Sequence, residues 1–227
     1  MNKISELKGS KEGHRAFLVG NGPSLKAHQL GRLMNEDTFA MNDIAAIFPE
    51  TLWRPTYYVG VATAFRRPKD RGQVLKGVTA ARVAFMHKGF TLWGGQNCVY
   101  LNTFHEDLTF ENVNVRMWQD DMGVGVCKWG TSMYATMQIA AYLGYKELNL
   151  IGVDGHYTGD RAKDYHSANY SGEAKIKTDP QAANRDHLIA HLMAQINCMR
   201  LGVQVYNCSE GGRLSVYDRR TLREALQ

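Results

Sequence analysis

The residues best suited to chemistry are Gly20-Asn21-Gly22-Pro23-Ser24-Leu25, which follow the apolar run Phe17-Leu18-Val19. The two glycines permit positive φ and leave no side chain in the way of an approaching ligand, while Pro23 and Ser24 suit the first turn of a helix. Backbone N–H groups at such a helix start can hold an anion. The spacing departs from the G-x-G-x-x-G dinucleotide fingerprint, because Pro23 and Ser24 follow the second glycine and Leu25 comes next. The loop therefore reads as a nucleotide-phosphate or sugar-nucleotide site and not as an NAD site.

Polar residues also end the other apolar runs. Asn42-Asp43 follow one, Asp154 with His156 and Tyr157 another, and Asn207-Cys208-Ser209 the last. Ligands of an open parallel sheet bind beyond the carboxyl ends of its strands. Asparagine both donates and accepts, so it can read ribose hydroxyls, base edges or sugar hydroxyls. Of the eight histidines, His156 and His166 lie in a polar stretch, 155–178, long enough to be a lid. A histidine of near-neutral pKa can serve there as general base toward an acceptor hydroxyl.

Several chemistries are disfavoured by spacing. His187 and His191 are four apart, as in a helical metal pair, but no Glu follows His187 as in H-E-x-x-H, so a pair on a helix surface is expected. Asp120-Asp121 are adjacent and isolated, and no Asp-x-Asp triplet is present to hold a metal-bound sugar nucleotide. The absence of a G-x-x-x-x-G-K-[ST] loop excludes P-loop phosphoryl transfer. Cys98, Cys127, Cys198 and Cys208 form no C-x-x-C pair and read as reduced, mostly buried thiols.

The elements that must position these residues alternate between short apolar runs and longer helical patterns, the signature of a parallel sheet covered by helices. Strands are predicted at 16–19, 38–41, 56–59, 82–86, 148–153 and 203–206, with weaker ones near Val99 and Val113. A helix is predicted over 131–143, with Met133, Met137, Ala140 and Ala141 on one face, Thr131 or Ser132 as cap and Gly144 as its end. A second begins at Asp179-Pro180 and carries Leu188, Leu192, Ile196 and Met199 before Gly202. The expected architecture is one α/β, Rossmann-like domain over 1–227, a mostly parallel sheet with helices on both faces.

Composition agrees with such a domain: 44% of the 227 residues are hydrophobic and 22% charged. No run approaches the ~20 apolar residues of a membrane span. Residues 1–15 are polar and lack the apolar centre of a signal peptide, so a cytoplasmic protein is expected. The net charge of +5 suits a phosphate-bearing substrate and admits peripheral contact with an anionic membrane surface. Nucleic acid is disfavoured without being excluded, because aromatic residues are not interleaved with the basic clusters at Arg66, Arg67, Lys69 and Arg71 and at Arg219, Arg220 and Arg223. An amphipathic C-terminal helix accounts for the second cluster.

The blocks Gly20 to Leu25, Thr131-Ser132, Leu143-Gly144-Tyr145-Lys146-Glu147-Leu148 and Ile151-Gly152-Val153-Asp154-Gly155-His156-Tyr157 resemble the bacterial lipooligosaccharide sialyltransferases. They also resemble related proteins allied to the archaeal-type 6-hydroxymethylpterin diphosphokinases. The resemblance implies a metal-independent glycosyltransferase that takes a CMP-sugar donor, with no cofactor beyond that co-substrate, and a glycan or small-molecule acceptor. Gly20, Asn21, Gly22, Pro23, Ser24, Asn42, Thr131, Ser132 and Asp154 would line the donor site. Tyr157 would stabilise the leaving phosphate and His166 would act as base. The chain departs from the family in two places: residues 181–184 hold no histidine where the catalytic one precedes the last long helix, and Gly60-Val61 stand where a further Asn is found. Under the diphosphokinase reading, ATP would be the donor and Asp43 and Asp154 would hold Mg²⁺. A nucleotide-binding protein without turnover is the third reading, and a homo-oligomer is compatible with all three.

Overall fold

Runs of β-branched and aromatic residues between turn formers make the strands. Near-continuous apolarity in those runs, as in Phe17-Leu18-Val19, marks strands buried on both faces. The computed structural model describes residues 4–61, 71–89, 97–104, 117–167, 170 and 179–227, with the side chains of Arg71, Gln73 and Arg161 not described. The strand expected near Val113, the cluster at Arg66, Arg67, Lys69 and Arg71, and much of the lid-like stretch lie outside this description.

In chain order the strands are β1 (Arg15–Val19), β2 (Thr38–Met41), β3 (Tyr57–Gly60), β4 (Val83–His87), β5 (Cys98–Leu101), β6 (Thr103–Phe104), β7 (Val126–Cys127), β8 (Glu147–Ile151), β9 (Gln204–Asn207) and β10 (Asp218–Arg219). The α-helices are α1 (Ala27–Gly31), α2 (Arg71–Ala80), α3 (Ser132–Leu143), α4 (Arg161–Asp164), α5 (Pro180–Arg200) and α6 (Leu222–Ala225). Eight strands form one sheet in the order β10-β9-β8-β1-β2-β3-β4-β5, and every pairing in it is parallel. The chain steps outward from β1 to β5, then returns to the other side of β1 with β8. The sheet therefore has its topological switch point between β1 and β8, where a crevice must open.

Successive strand residues supply opposite faces, as the period of two requires. Ala16, Leu18, Phe39, Val59, Leu148 and Leu150 face a core shared with α3 and α5. Phe17, Val19, Ala40, Tyr58 and Ile151 face one built with Leu30, Ile44, Val74 and Leu222. The α/β architecture with helices on both faces is thus as the alternation predicted. Among the described residues no helix is long and apolar enough to cross a membrane, and the four cysteines are buried and free.

Two expectations are corrected. The C-terminal basic cluster is not one amphipathic helix, because Arg219 lies in β10 and α6 starts only at Leu222. Arg219 donates to the carbonyls of Ser209 and Gly211, and Arg220 pairs with Glu147 and Asn149 beneath the ring of Tyr206. Those two guanidiniums tie the chain together at this edge of the sheet.

The second correction concerns α5. Leu188, Leu192, Ile196 and Met199, the face read as core, are 45, 45, 52 and 68% exposed. Buried in their place are Ala183, His187, Ala190, His191, Met193, Ala194, Asn197 and Cys198. Close approach decides the matter: a Cβ on Gly130 would fall 2.8 Å from the Cβ of Ala190 and 2.5 Å from the Asp186 carbonyl, so only a small-residue face fits. Consequently Leu192→Gln is expected to change unfolding free energy by less than about 1 kcal/mol, against the 2–5 kcal/mol typical of a truncated core leucine. Urea denaturation distinguishes the two values directly.

Candidate functional site

The crevice at the switch point is lined by the loops after β1, β2 and β8, by the start of α3, by the segment around α4 and by α5. Its lining includes Gly20, Asn21, Gly22, Asn42, Thr131, Asp154, Tyr157 and His187. Residues separated by more than 160 positions are brought together because each ends an element that points its carboxyl end, or its helix N-terminus, at the same side of the sheet.

The two glycines are dictated by contact between the loops after β1 and β8. The Gly20 and Gly22 amides donate to the Ile151 and Gly152 carbonyls at 2.7 and 2.8 Å. A Cβ would land 2.4 Å from the Gly152 oxygen at Gly20 and 1.9 Å from Asp154 Oδ2 at Gly22. Pro23-Ser24 do not open a helix, since α1 begins at Ala27. The segment closes instead as a turn, with the Leu25 amide donating to the Gly22 carbonyl at 3.1 Å. Ser24 is drawn to Asp154, whose Oδ2 accepts from its hydroxyl at 2.9 Å and its amide at 3.3 Å. Desolvation raises the pKa of Asp154 despite these bonds.

Asn21 is nearly buried and its amide nitrogen donates to the Met41 carbonyl at 3.1 Å. Its Oδ1 is buried and has no partner among the described residues. Asn42 has φ +54°, the only positive φ of a non-glycine among the described residues. Asparagine tolerates this conformation better than most. The Asn42 carbonyl accepts from Tyr58 Oη at 2.7 Å and its Oδ1 from Ser132 Oγ at 3.4 Å, tying β2 to the start of α3. Thr131 caps that helix, accepting from the Met133 amide at 3.2 Å. The helix start that faces the crevice is thus that of α3, a 12-residue helix whose N-terminal amides and dipole favour an anion.

Asp43 is fully buried, and Asp154 lines the crevice with its Oδ2 accepting from Ser24. Among the described residues no group of three or more His, Cys, Asp or Glu side chains could hold a metal. Asn207, Cys208 and Ser209 do not line the crevice. They bond to Leu214, Asn149 and Val153 and shape the chain beneath it.

Tyr157 enters from the loop after β8, and Asn184 of α5 clamps its backbone, accepting from the amide at 2.6 Å and donating to the carbonyl at 2.9 Å. Burial, with Tyr165 and the carboxylates of Asp164 and Asp154 nearby, keeps its phenol protonated across the working range. The ring of His187 meets Tyr157 edge-on at 5.4 Å. His166 does not line the crevice, and its amide donates to the Asn21 carbonyl at 3.1 Å. Neither of its ring nitrogens has a hydrogen-bond partner among the described residues, and burial lowers its pKa to about 4.

His187 and His191 are therefore not a surface pair: they are 6 and 1% exposed. His187 lies one helical turn beyond Asn184. The sequence signal was available, since positions 184, 187 and 191 share one face of a helix. It was obscured by assigning Leu188 and Leu192 to the core.

No family model matches the chain, and no curated protein matches it in sequence. The fold is shared with solved structures at low identity. A MAf glycosyltransferase from Magnetospirillum magneticum AMB-1 matches with TM-score 0.60 and 13% identity over 95% of this chain, which spans only 35% of that protein. The monofunctional alpha-2,3-sialyltransferase Cst-I from Campylobacter jejuni matches with TM-score 0.55 and 18% identity, over 91% of this chain and 79% of that one. The sialyltransferase CstII from the same organism, solved with cytidine-5'-monophosphate, matches with TM-score 0.52 and 17% identity, over 92 and 85%. The sialyltransferase-like fold expected from the motif blocks is the fold observed.

Proposed function

We propose that the chain is a glycosyltransferase that uses a nucleotide-sugar donor of the CMP-sugar type and acts without a metal. The observation that carries this reading is the convergence of the Asn21 acceptor, the α3 N-terminus, a protonated Tyr157 and His187 in one crevice. The fold is shared with a sialyltransferase solved with CMP.

The donor's phosphate sits against the start of α3 and the Tyr157 hydroxyl. As the sugar–phosphate bond breaks, its electron pair passes to the phosphate oxygen. Helix amides and a phenol O–H stabilise developing charge there better than in the ground state. Asn21 and Asn42 fix the nucleoside and sugar, and Ser24 and Asp154 keep the glycine loop in shape. The acceptor's oxygen bonds to the anomeric carbon while its proton moves to His187. We assign the base to His187 and not to His166, because His187 lines the crevice beside Tyr157. His166 is also too weakly basic near pH 7 to match the task.

A thermal-shift screen with CMP, CDP, UDP, GDP and ATP, each with and without Mg²⁺, tests the donor. CMP at 100 times its Kd is expected to add about 2.7 kcal/mol of stability. Transfer from CMP-sialic acid is expected to persist in EDTA. A response to ATP that requires Mg²⁺, with none to CMP, would instead favour pyrophosphate transfer.

A further inference from the structure

At the edge of the sheet opposite the crevice, the connections that enter β2, β3 and β4 lie side by side, because the three strands are parallel and their amino ends share that edge. The amides of Thr38 and Thr56 each donate to the other's hydroxyl at 3.1 Å, and the Arg82 amide donates to the Thr56 carbonyl at 3.0 Å. The connections 32–37, 51–56 and 81–82 are thereby tied into one surface.

This surface is basic. Arg32, Lys76 of α2 and Arg82 are exposed and make no ion pair among the described residues. Arg54 donates to the carbonyls of Thr51 and Trp53 at 2.8 and 2.7 Å, and its guanidinium lies 4.3 Å from the centre of the Phe48 ring. Its charge is thus fixed in place without an acid. Arg54 and Lys76 line one groove between the 3₁₀ segment Ile44–Glu50 and α2. Of the acids in these segments, Glu36 pairs with Arg15, Asp37 pairs with Lys11 and Asp43 is fully buried, which leaves Glu50.

The same surface carries large apolar side chains. Leu52 is 88% exposed, and Met34 and Leu75 are also exposed. The next residue, Trp53, is buried, meets the Phe48 ring edge-on at 6.4 Å and donates its amide to Thr51 Oγ1 at 3.1 Å. The buried indole pins the turn, so Leu52 is presented outward on a rigid support. A single exposed leucine needs no partner. A leucine on a fixed turn beside cations without acids matches a phase that is anionic at its surface and apolar just beneath. Nucleic acid offers the charge but no apolar layer.

We propose that the edge formed by the amino ends of β2, β3 and β4 is a peripheral docking surface for an anionic lipid bilayer. Leu52 enters the headgroup region, and Arg32, Arg54, Lys76 and Arg82 meet lipid phosphates. The crevice lies at the other edge of the strands, so the docked protein keeps it open to solution. The proposal is independent of the reaction carried out there.

Vesicle flotation of the intact chain tests it. Binding to phosphatidylcholine vesicles with about 30 mol% phosphatidylglycerol should be at least about tenfold stronger than to phosphatidylcholine alone, and should weaken as salt is raised. Lys76→Glu and Arg82→Glu should each weaken it at least about fivefold, and Leu52→Asp at least about tenfold. Leu192→Gln, on the exposed face of α5, should bind as the wild type does. All four side chains are exposed, so the variants should keep the wild-type urea midpoint. Should a charged replacement fail to fold, Leu52→Ser and Lys76→Gln give the same readouts. Equal binding to both vesicle types, or a loss in Leu192→Gln with none in Leu52→Asp, overturns the proposal. A short DNA duplex is the competing occupant: tighter binding to it than to anionic vesicles, weakened by Lys76→Glu but not by Leu52→Asp, would assign the surface to a polyanion and overturn the proposal too.

Discussion

Replacing His187 by glutamine is expected to lower the transfer rate about 10²- to 10⁴-fold, the range of a lost general base. CMP should still bind within a few-fold, because the α3 N-terminus, Asn21 and Tyr157 remain in place. The effect should therefore appear in kcat with little change in donor KM, the pattern of an interaction made in the transition state only. His166→Gln serves as the comparison. Its ring is absent from the crevice lining and burial lowers its pKa to about 4, so the loss of that side chain should reach transfer only through the backbone contact with Asn21. A larger kcat loss in His166→Gln than in His187→Gln would return the base to the lid segment and remove the assignment made here.

Acid should destabilise the protein well above the carboxylate range. His166 is lowered to about 4 by burial, with the Lys26 charge adding to the effect, and His191 is lowered well below its ordinary value by burial and the nearby His187. A histidine buried neutral contributes stability that is complete above its ordinary pKa of 6.5 and is lost as pH falls toward the folded value, because the unfolded chain binds the proton first. For His166 alone the loss between pH 6.5 and 4 amounts to about 2–3 kcal/mol. Asp154, raised by desolvation, acts in the opposite sense and favours the fold as it protonates. Urea unfolding of the wild-type protein and His166→Leu at pH 7 and pH 4.5 reads the difference. The variant should lose less stability on acidification, and equal losses in both proteins would show that His166 is not the group responsible.

Much of the architecture was legible in the chain. β2 coincides with its predicted span, and β1, β3, β4, β8 and β9 fall within two residues of theirs. The Thr131 cap, the Gly144 stop and the Asp179-Pro180 start all hold. Such signals are local: a cap, a left-handed glycine or a proline at the first helical position acts through neighbours a few residues away. The strand-end wall of the crevice was legible for the same reason, since residues that end parallel strands gather at one edge whatever the order of those strands.

Periodicity established that 180–200 is a helix but could not say which of two apolar faces is inside. Leu188-Leu192-Ile196 and Ala190-Ala194-Cys198 both repeat at helical spacing. The smaller set won because α5 crosses Gly130 at a distance that admits no leucine. That choice turned His187 from a surface residue into the side chain beside Tyr157, and placed His191 against Tyr217. In the same way Ser24, read as a helix start, became the anchor of Asp154, a partner 130 residues away. The sequence by itself determined the main parallel strands and the loop that begins the crevice, because these depend on local chain chemistry. Only the tertiary structure decided the strand order and brought His187 into the crevice beside His156, because these depend on how closely distant surfaces pack.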